Sequence, residues 1–289
     1  AEKRGLIRRG IETGERLLAD RSRSAYEDDI LIRLGHLYAM QEKEDFFDSL
    51  KAWEARPPAA AGPEPAPAYP KALAVYRRIL DRFPKSEFTD DALYNRAFLE
   101  EETGRHDSAN VLYRRILSDF PRSPFAVESS MRLGEYAFNP PVNDLENAVF
   151  YYKKVVESPR SPRFPEALYK LGWSYYRLEQ YAPAISYFTT LIETLAEDRP
   201  EDRTASAVDL TREALDYIAV AFTDFGGPVQ AAEYLRKLGQ PGWGREVLAR
   251  LDLDGRVIRI ARQQADAVLA DLQQLHRDFV VDARDHDLA

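Results

Sequence analysis

The chain has 289 residues, of which 45% are hydrophobic and 30% charged, with a formal net charge of −8 and no cysteine. The acid excess argues against a nucleic-acid binder, which needs a basic face to displace counterions from phosphates. No apolar run approaches the roughly 18 residues of a membrane span, and without cysteine there are no disulfides, thiolate metal sites or cysteine nucleophiles.

Residues 1–27, around GLIRRGIETGERLLADRS, read as an amphipathic helix, an N-terminal half repeat. Residues 28–84 hold a first helix pair. Its helix A is LIRLGHLYAM, with Leu31, Leu34-Gly35 and Tyr38 on one face, and its helix B is KALAVYRRILDRFP. Between them lies an insertion, 42–69. Its start, EDFFDSLKAWE, either prolongs helix A or forms a short helix of its own. Its end, the Pro-rich stretch 56–70, has no periodicity and is expected to be flexible or polyproline-like. It is a tolerated surface insertion or a docking loop.

Helix pairs are then expected at 85–121, 122–160, 161–200 and 201–239, and closing helices at 240–289. The last of these, from Gly255, spaces Ala261, Ala265, Val268, Leu272, Leu275 and Phe279 by 4, 3, 4, 3 and 4 residues. That is a heptad seam, which either caps the end of the array or meets a partner helix or a second copy.

The pairs are repeats. YRRIL opens at Tyr76 and Tyr113, YKKVV at Tyr152 and FTTLI at Phe188, at spacings of 37, 39 and 36. Small residues recur on helix A (Ala97, Gly134, Gly172, Ala219) and on helix B (Ala109, Ala148, Ala184, Ala231), where the two helices cross. A larger side chain there would strain the packing by ~1–3 kcal/mol. An aromatic residue one turn later (Tyr113, Tyr152, Phe188) fills the gap to the next repeat. Pro84 and Pro121 stop helix B.

This pattern, best seen in ALYKLGWSYYRLEQYAPAISYF, resembles the tetratricopeptide (TPR) repeat. The resemblance implies an all-α fold, a right-handed superhelical α-solenoid of helix–turn–helix repeats. It also implies that a partner's peptide or helix binds a concave groove through repeat positions 2, 5, 9, 12 and 13. Carried onto this chain, those positions give Tyr94, Phe98, Glu101 and Glu102, then Met131 and Glu135, then Tyr169, Trp173, Tyr176 and Arg177. The groove is expected to be aromatic with acidic margins. Position 5 is never lysine, unlike the TPR domains that clamp a C-terminal carboxylate.

Helix B endings of the form Y-R-R-I-L-x-x-F-P-x-S resemble those of bacterial envelope TPR proteins, of the barrel-assembly lipoprotein and Tol–Pal coordinator types. That resemblance implies a periplasmic scaffold in a multiprotein assembly, with the cytoplasm as the alternative. His36, His106, His276 and His286 share no metal-ligand spacing, and no nucleophile elbow, P-loop or dinucleotide fingerprint occurs. The expectation is a protein-binding adaptor with no enzymatic activity, cofactor or metal. The alternative is a structural spacer of a longer protein, self-associating through Val268, Leu272, Leu275 and Phe279.

Overall fold

In a computed structural model of the chain, the described residues are 2–20, 25–56, 62–196 and 205–252. Among them only helices form, with no strand. A first unit runs to Arg163 and contains α1 (Glu2–Ala19), α2 (Glu27–Glu54), α3 (Pro70–Arg82), α4 (Thr89–Glu102), α5 (His106–Asp119), α6 (Ala126–Phe138) and α7 (Leu145–Val156). A second begins at Phe164 and contains α8 (Phe164–Arg177), α9 (Tyr181–Ala196), α10 (Ala205–Asp224), α11 (Gly227–Lys237) and α12 (Gly244–Asp252). Within each unit every helix packs on its neighbour in the chain, which is how a solenoid of helix pairs is built.

The small and aromatic positions meet as their sizes require. A Cβ on Gly35 would come within 2.5 Å of the Tyr76 ring, one on Gly134 within 2.6 Å of Tyr152, and one on Gly172 within 2.6 Å of Phe188. The glycine lets the ring lie flat on the helix A backbone, and all three rings are fully buried. Ala97 and Ala109, on α4 and α5, are buried in the same register.

The turn from each helix B into the next helix A has a repeated device. The backbone N–H of Phe88 donates to Ser86 Oγ, that of Phe125 to Ser123 Oγ, and that of Arg163 to Ser161 Oγ, each at 3.1 Å. These serines satisfy donors that would otherwise be orphaned in the turn. The proline of each F-P-x-S stretch stands just past the helix end, where it keeps the preceding Phe out of the helical conformation. Helix α3 ends at Arg82 and α5 at Asp119, before Pro84 and Pro121.

Of the two expectations for the insertion, its start prolongs helix A. Helix α2 runs unbroken for 28 residues and carries EDFFDSLKAWE with it. Its added turns have two anchors. Arg4 on α1 reaches Glu44 at 3.1 Å and Asp48 at 2.5 Å. Glu42 accepts the backbone N–H groups of Lys71 and Ala72, at 2.8 and 3.2 Å, and so caps α3 from a neighbouring helix. The Pro-rich stretch ends inside the core, contrary to the expectation of a loop with nothing to bury. Tyr69 is 2% exposed, and its hydroxyl donates to Glu102 at 2.5 Å.

Candidate partner-binding surface of the repeats

Positions 5 and 9 of each helix A were expected to face an open groove. The structure places Met131, Tyr169 and Trp173 in the interior, at 1, 1 and 5% exposure. Helix α6 is buried at every residue from Ser129 to Glu135, and α8 at every residue from Ala167 to Tyr175. Successive helical residues point about 100° apart, so two turns buried without a gap have no solvent face.

The covering comes largely from the next repeat. Trp173 lies edge-to-face on Tyr217 of α10 at 4.2 Å. The Tyr169 hydroxyl donates to Glu213 of α10 at 2.5 Å. Phe98 is half-buried beneath the Arg132 guanidinium of α6, 5.2 Å from the ring centre. Tyr94 is half-buried, stacked on Phe125 at 4.8 Å. Position 9 of one repeat therefore packs on position 6 of the next (Phe98 on Arg132, Trp173 on Tyr217). Glu135 is buried and accepts the Tyr152 hydroxyl at 2.6 Å.

Tyr176 and Arg177, at the end of α8, remain half-exposed, and the Tyr176 hydroxyl donates to Asp224 at 3.4 Å. Glu101 and Glu102 are also half-exposed and serve Tyr113 and Tyr69 respectively. The seam residues Val268, Leu272, Leu275 and Phe279 lie outside the described residues.

A row that was not singled out in the sequence sits at position 2: Asp29, Asp91, Glu128, Glu166 and Glu213, an acid in all five repeats. Asp29, Asp91, Glu128 and Glu166 stand in the first turn of helix A, where the helix dipole favours negative charge, and Glu213 stands further along α10. Three of them bond to a different repeat. Asp91 is 3.0 Å from His36 Nε2, Glu213 takes the Tyr169 hydroxyl, and Glu128 accepts Arg163 twice, at 2.7 and 2.9 Å. Glu128 also accepts Arg132 at 3.1 Å. Burial pushes the Glu128 carboxyl up, but the two guanidiniums outweigh it and hold the group below its ordinary range. At Glu102 burial wins and the carboxyl is raised. The signal for this row was the recurrence of an acid two residues before a leucine of helix A in four repeats (Leu31, Leu93, Leu168 and Leu215), with Ser130 in that place in the fifth.

The helix B tyrosines follow a second rule. Tyr113 donates to Glu101 at 2.8 Å and Tyr152 to Glu135 at 2.6 Å, both on their own helix A. Where α8 has Trp173 in place of an acid, helix B carries Phe188, which has no hydroxyl. Tyr76 breaks the rule: its hydroxyl is buried with no hydrogen-bond partner among the described residues. Tyr152→Phe is expected to cost ~1–3 kcal/mol, because the buried Glu135 loses the tyrosine hydroxyl as a donor. Tyr76→Phe is expected to be neutral or stabilising, since it removes only an unpaired hydroxyl. Urea denaturation of both variants checks this, and equal destabilisation would refute the rule.

Two segments match the family model for the tetratricopeptide repeat, residues 91–123 and 166–194. These are the pairs α4–α5 and α8–α9, so the chain contains TPR repeats, an architecture that serves protein–protein interaction. No curated protein matches the sequence significantly. Among solved structures, BtubC (BKLC) from P. vanneervenii is similar, with a TM-score of 0.51 and 15% identity over 87% of this chain and 91% of that one. At that identity the likeness is one of fold. Among the described residues no group of three or more His, Asp or Glu converges to hold a metal, and no helix is long and apolar enough to cross a membrane.

Proposed function

We propose that the chain is a non-catalytic adaptor that holds a peptide or helix of a partner protein within a bacterial envelope assembly, in the periplasm. The observation that carries the binding part is the TPR repeat itself, matched at two helix pairs. The envelope part is supported by the Y-R-R-I-L-x-x-F-P-x-S helix endings at Tyr76–Ser86 and Tyr113–Ser123. The partner rests on the helix A residues that keep solvent access: Tyr94 and Phe98 in the first unit, and Tyr176 and Arg177 in the second. Met131, Tyr169 and Trp173 are buried and do not touch the partner, and Trp173 packs edge-to-face on Tyr176 at 5.9 Å.

Site-specific photo-crosslinking in the native host tests this. A benzophenone amino acid replaces Tyr94, Phe98 or Tyr176 in turn, and Val229, which is 80% exposed on helix B side α11, serves as the control. A discrete adduct from the helix A positions and none from Val229 is the expected result. Adducts from Val229 alone, or none anywhere, would overturn the assignment. Trp173→Ala is unsuitable as a test, because it removes a core side chain.

A further inference from the structure

The acid excess of the whole chain conceals an uneven distribution of charge between neighbouring helices of the first unit. Helix α4, a helix A, has five carboxylates and one arginine. Helix α3, a helix B, has Lys71, Arg77, Arg78 and Arg82 against Asp81 alone. The basic residues recur in register. Arg77-Arg78, Arg114-Arg115 and Lys153-Lys154 hold the same two positions on α3, α5 and α7, five and six residues after the small residue of helix B. The following turns repeat one more cation, as Lys85, Arg122 and Arg160, each just after a proline.

Part of this set is structural. Arg78 reaches Glu27 at 2.5 Å, and Arg115 reaches Asp119 at 3.2 Å. Arg77 and Arg114 are exposed and have no hydrogen-bond or ion-pair partner among the described residues, and the same holds for Lys85, Arg122 and Arg160. Three residues before the basic positions of α5 and α7 stand Val111 and Phe150, 60 and 53% exposed. A spacing of three puts each on the same helical face as its cation.

We propose that this face of the first unit binds an extended, carboxylate-rich segment of a partner protein that also carries apolar side chains. Arg77 and Arg114 on the helices, with Lys85, Arg122 and Arg160 in the turns, offer recurring carboxylate positions along the repeats. Val111 beside Arg114, and Phe150, whose ring lies 5.0 Å from Lys154 Nζ, offer apolar contact, which a purely ionic ligand would not use. Exposed acids on the same helices, Asp81, Asp107, Asp119 and Glu146, and Glu157 just past α7, interrupt the positive field. A lipid headgroup layer or a phosphate backbone requires that field to be continuous. This surface is separate from the helix A residues, and its test is independent of theirs.

The test uses the full chain and a fluorescein-labelled peptide of Glu-Glu-Phe-Glu repeats, followed by anisotropy. The wild type is expected to bind, with affinity falling as sodium chloride is raised. Arg77→Glu with Arg114→Glu, both on solvent-exposed positions, is expected to weaken binding by about tenfold or more with the circular dichroism unchanged. Arg245→Glu, exposed in the second unit, is expected to leave binding unchanged. The proposal is overturned by absence of binding at low salt, or by an equal loss in Arg245→Glu. It is equally overturned if phosphatidylglycerol vesicles or duplex RNA bind more tightly than the peptide.

Discussion

Glu128→Ala is expected to cost about 3 kcal/mol of unfolding free energy, because it breaks a largely desolvated ion cluster from its centre. Arg163 loses both of its bonds to that carboxylate. Arg132, 8% exposed, is left among the described residues with Glu101 at 3.5 Å and the Phe98 ring. Removing the nearest carboxylate from a guanidinium in such a place is costly, whereas a surface pair of the same chemistry contributes about 1 kcal/mol or less. The pH dependence has a definite sign. The folded carboxyl titrates below its unfolded value, so its contribution is fully present above the unfolded pKa, about 4.3. The contribution is lost as pH falls through the folded pKa. The gap between wild type and Glu128→Ala should therefore narrow on acidification, in urea melts run from neutral pH downward. A gap that stays constant through that range would show that the cluster contributes by packing alone.

Phe188→Ala is expected to cost ~3–5 kcal/mol, the usual loss for truncating a buried aromatic residue. Its ring is wholly buried and lies on Gly172. Gly172→Ala adds one methyl group against that ring. It should cost ~1–3 kcal/mol from overpacking, against a helix-propensity gain of up to ~1 kcal/mol. The informative quantity is the double variant. With the ring gone, the alanine methyl enters the space that it leaves, and the two losses should fall short of their sum by about 1 kcal/mol or more. Additive losses in chemical denaturation would mean that the glycine is kept for some reason other than the ring. The same cycle applies to Gly134 with Tyr152.

Much of the fold is legible because its determinants are local. Gly172 and Phe188 are sixteen residues apart, and the size match between them is written within a single helix pair. The insertion was readable only in part. Its amphipathic start left open whether α2 continues, and that was decided by Arg4 and by the α3 N-terminus, which bind the added turns. The Pro-rich stretch shows why composition alone was insufficient: one residue of it, Tyr69, enters the core.

The candidate surface was less legible. Helix A positions 5 and 9 are defined by their register, but register does not say what covers them. Tyr169 and Trp173 became core because Glu213 and Tyr217, more than forty residues later, lie on them. The Arg-Arg pairs show the converse. Their positions were plain, yet only the contacts separate Arg78 and Arg115, which are bound to carboxylates, from Arg77 and Arg114, which are not.

By itself the sequence determined the period, the helix pairs and the glycine–aromatic crossings, since periodicity and side-chain size act within about forty residues. The tertiary structure alone decided which polar groups are paired. The Glu128 cluster, the orphaned Tyr76 hydroxyl and the burial of α6 and α8 all depend on which side chains the folded chain brings together. A pairing across repeats has no fixed spacing from which it could be read.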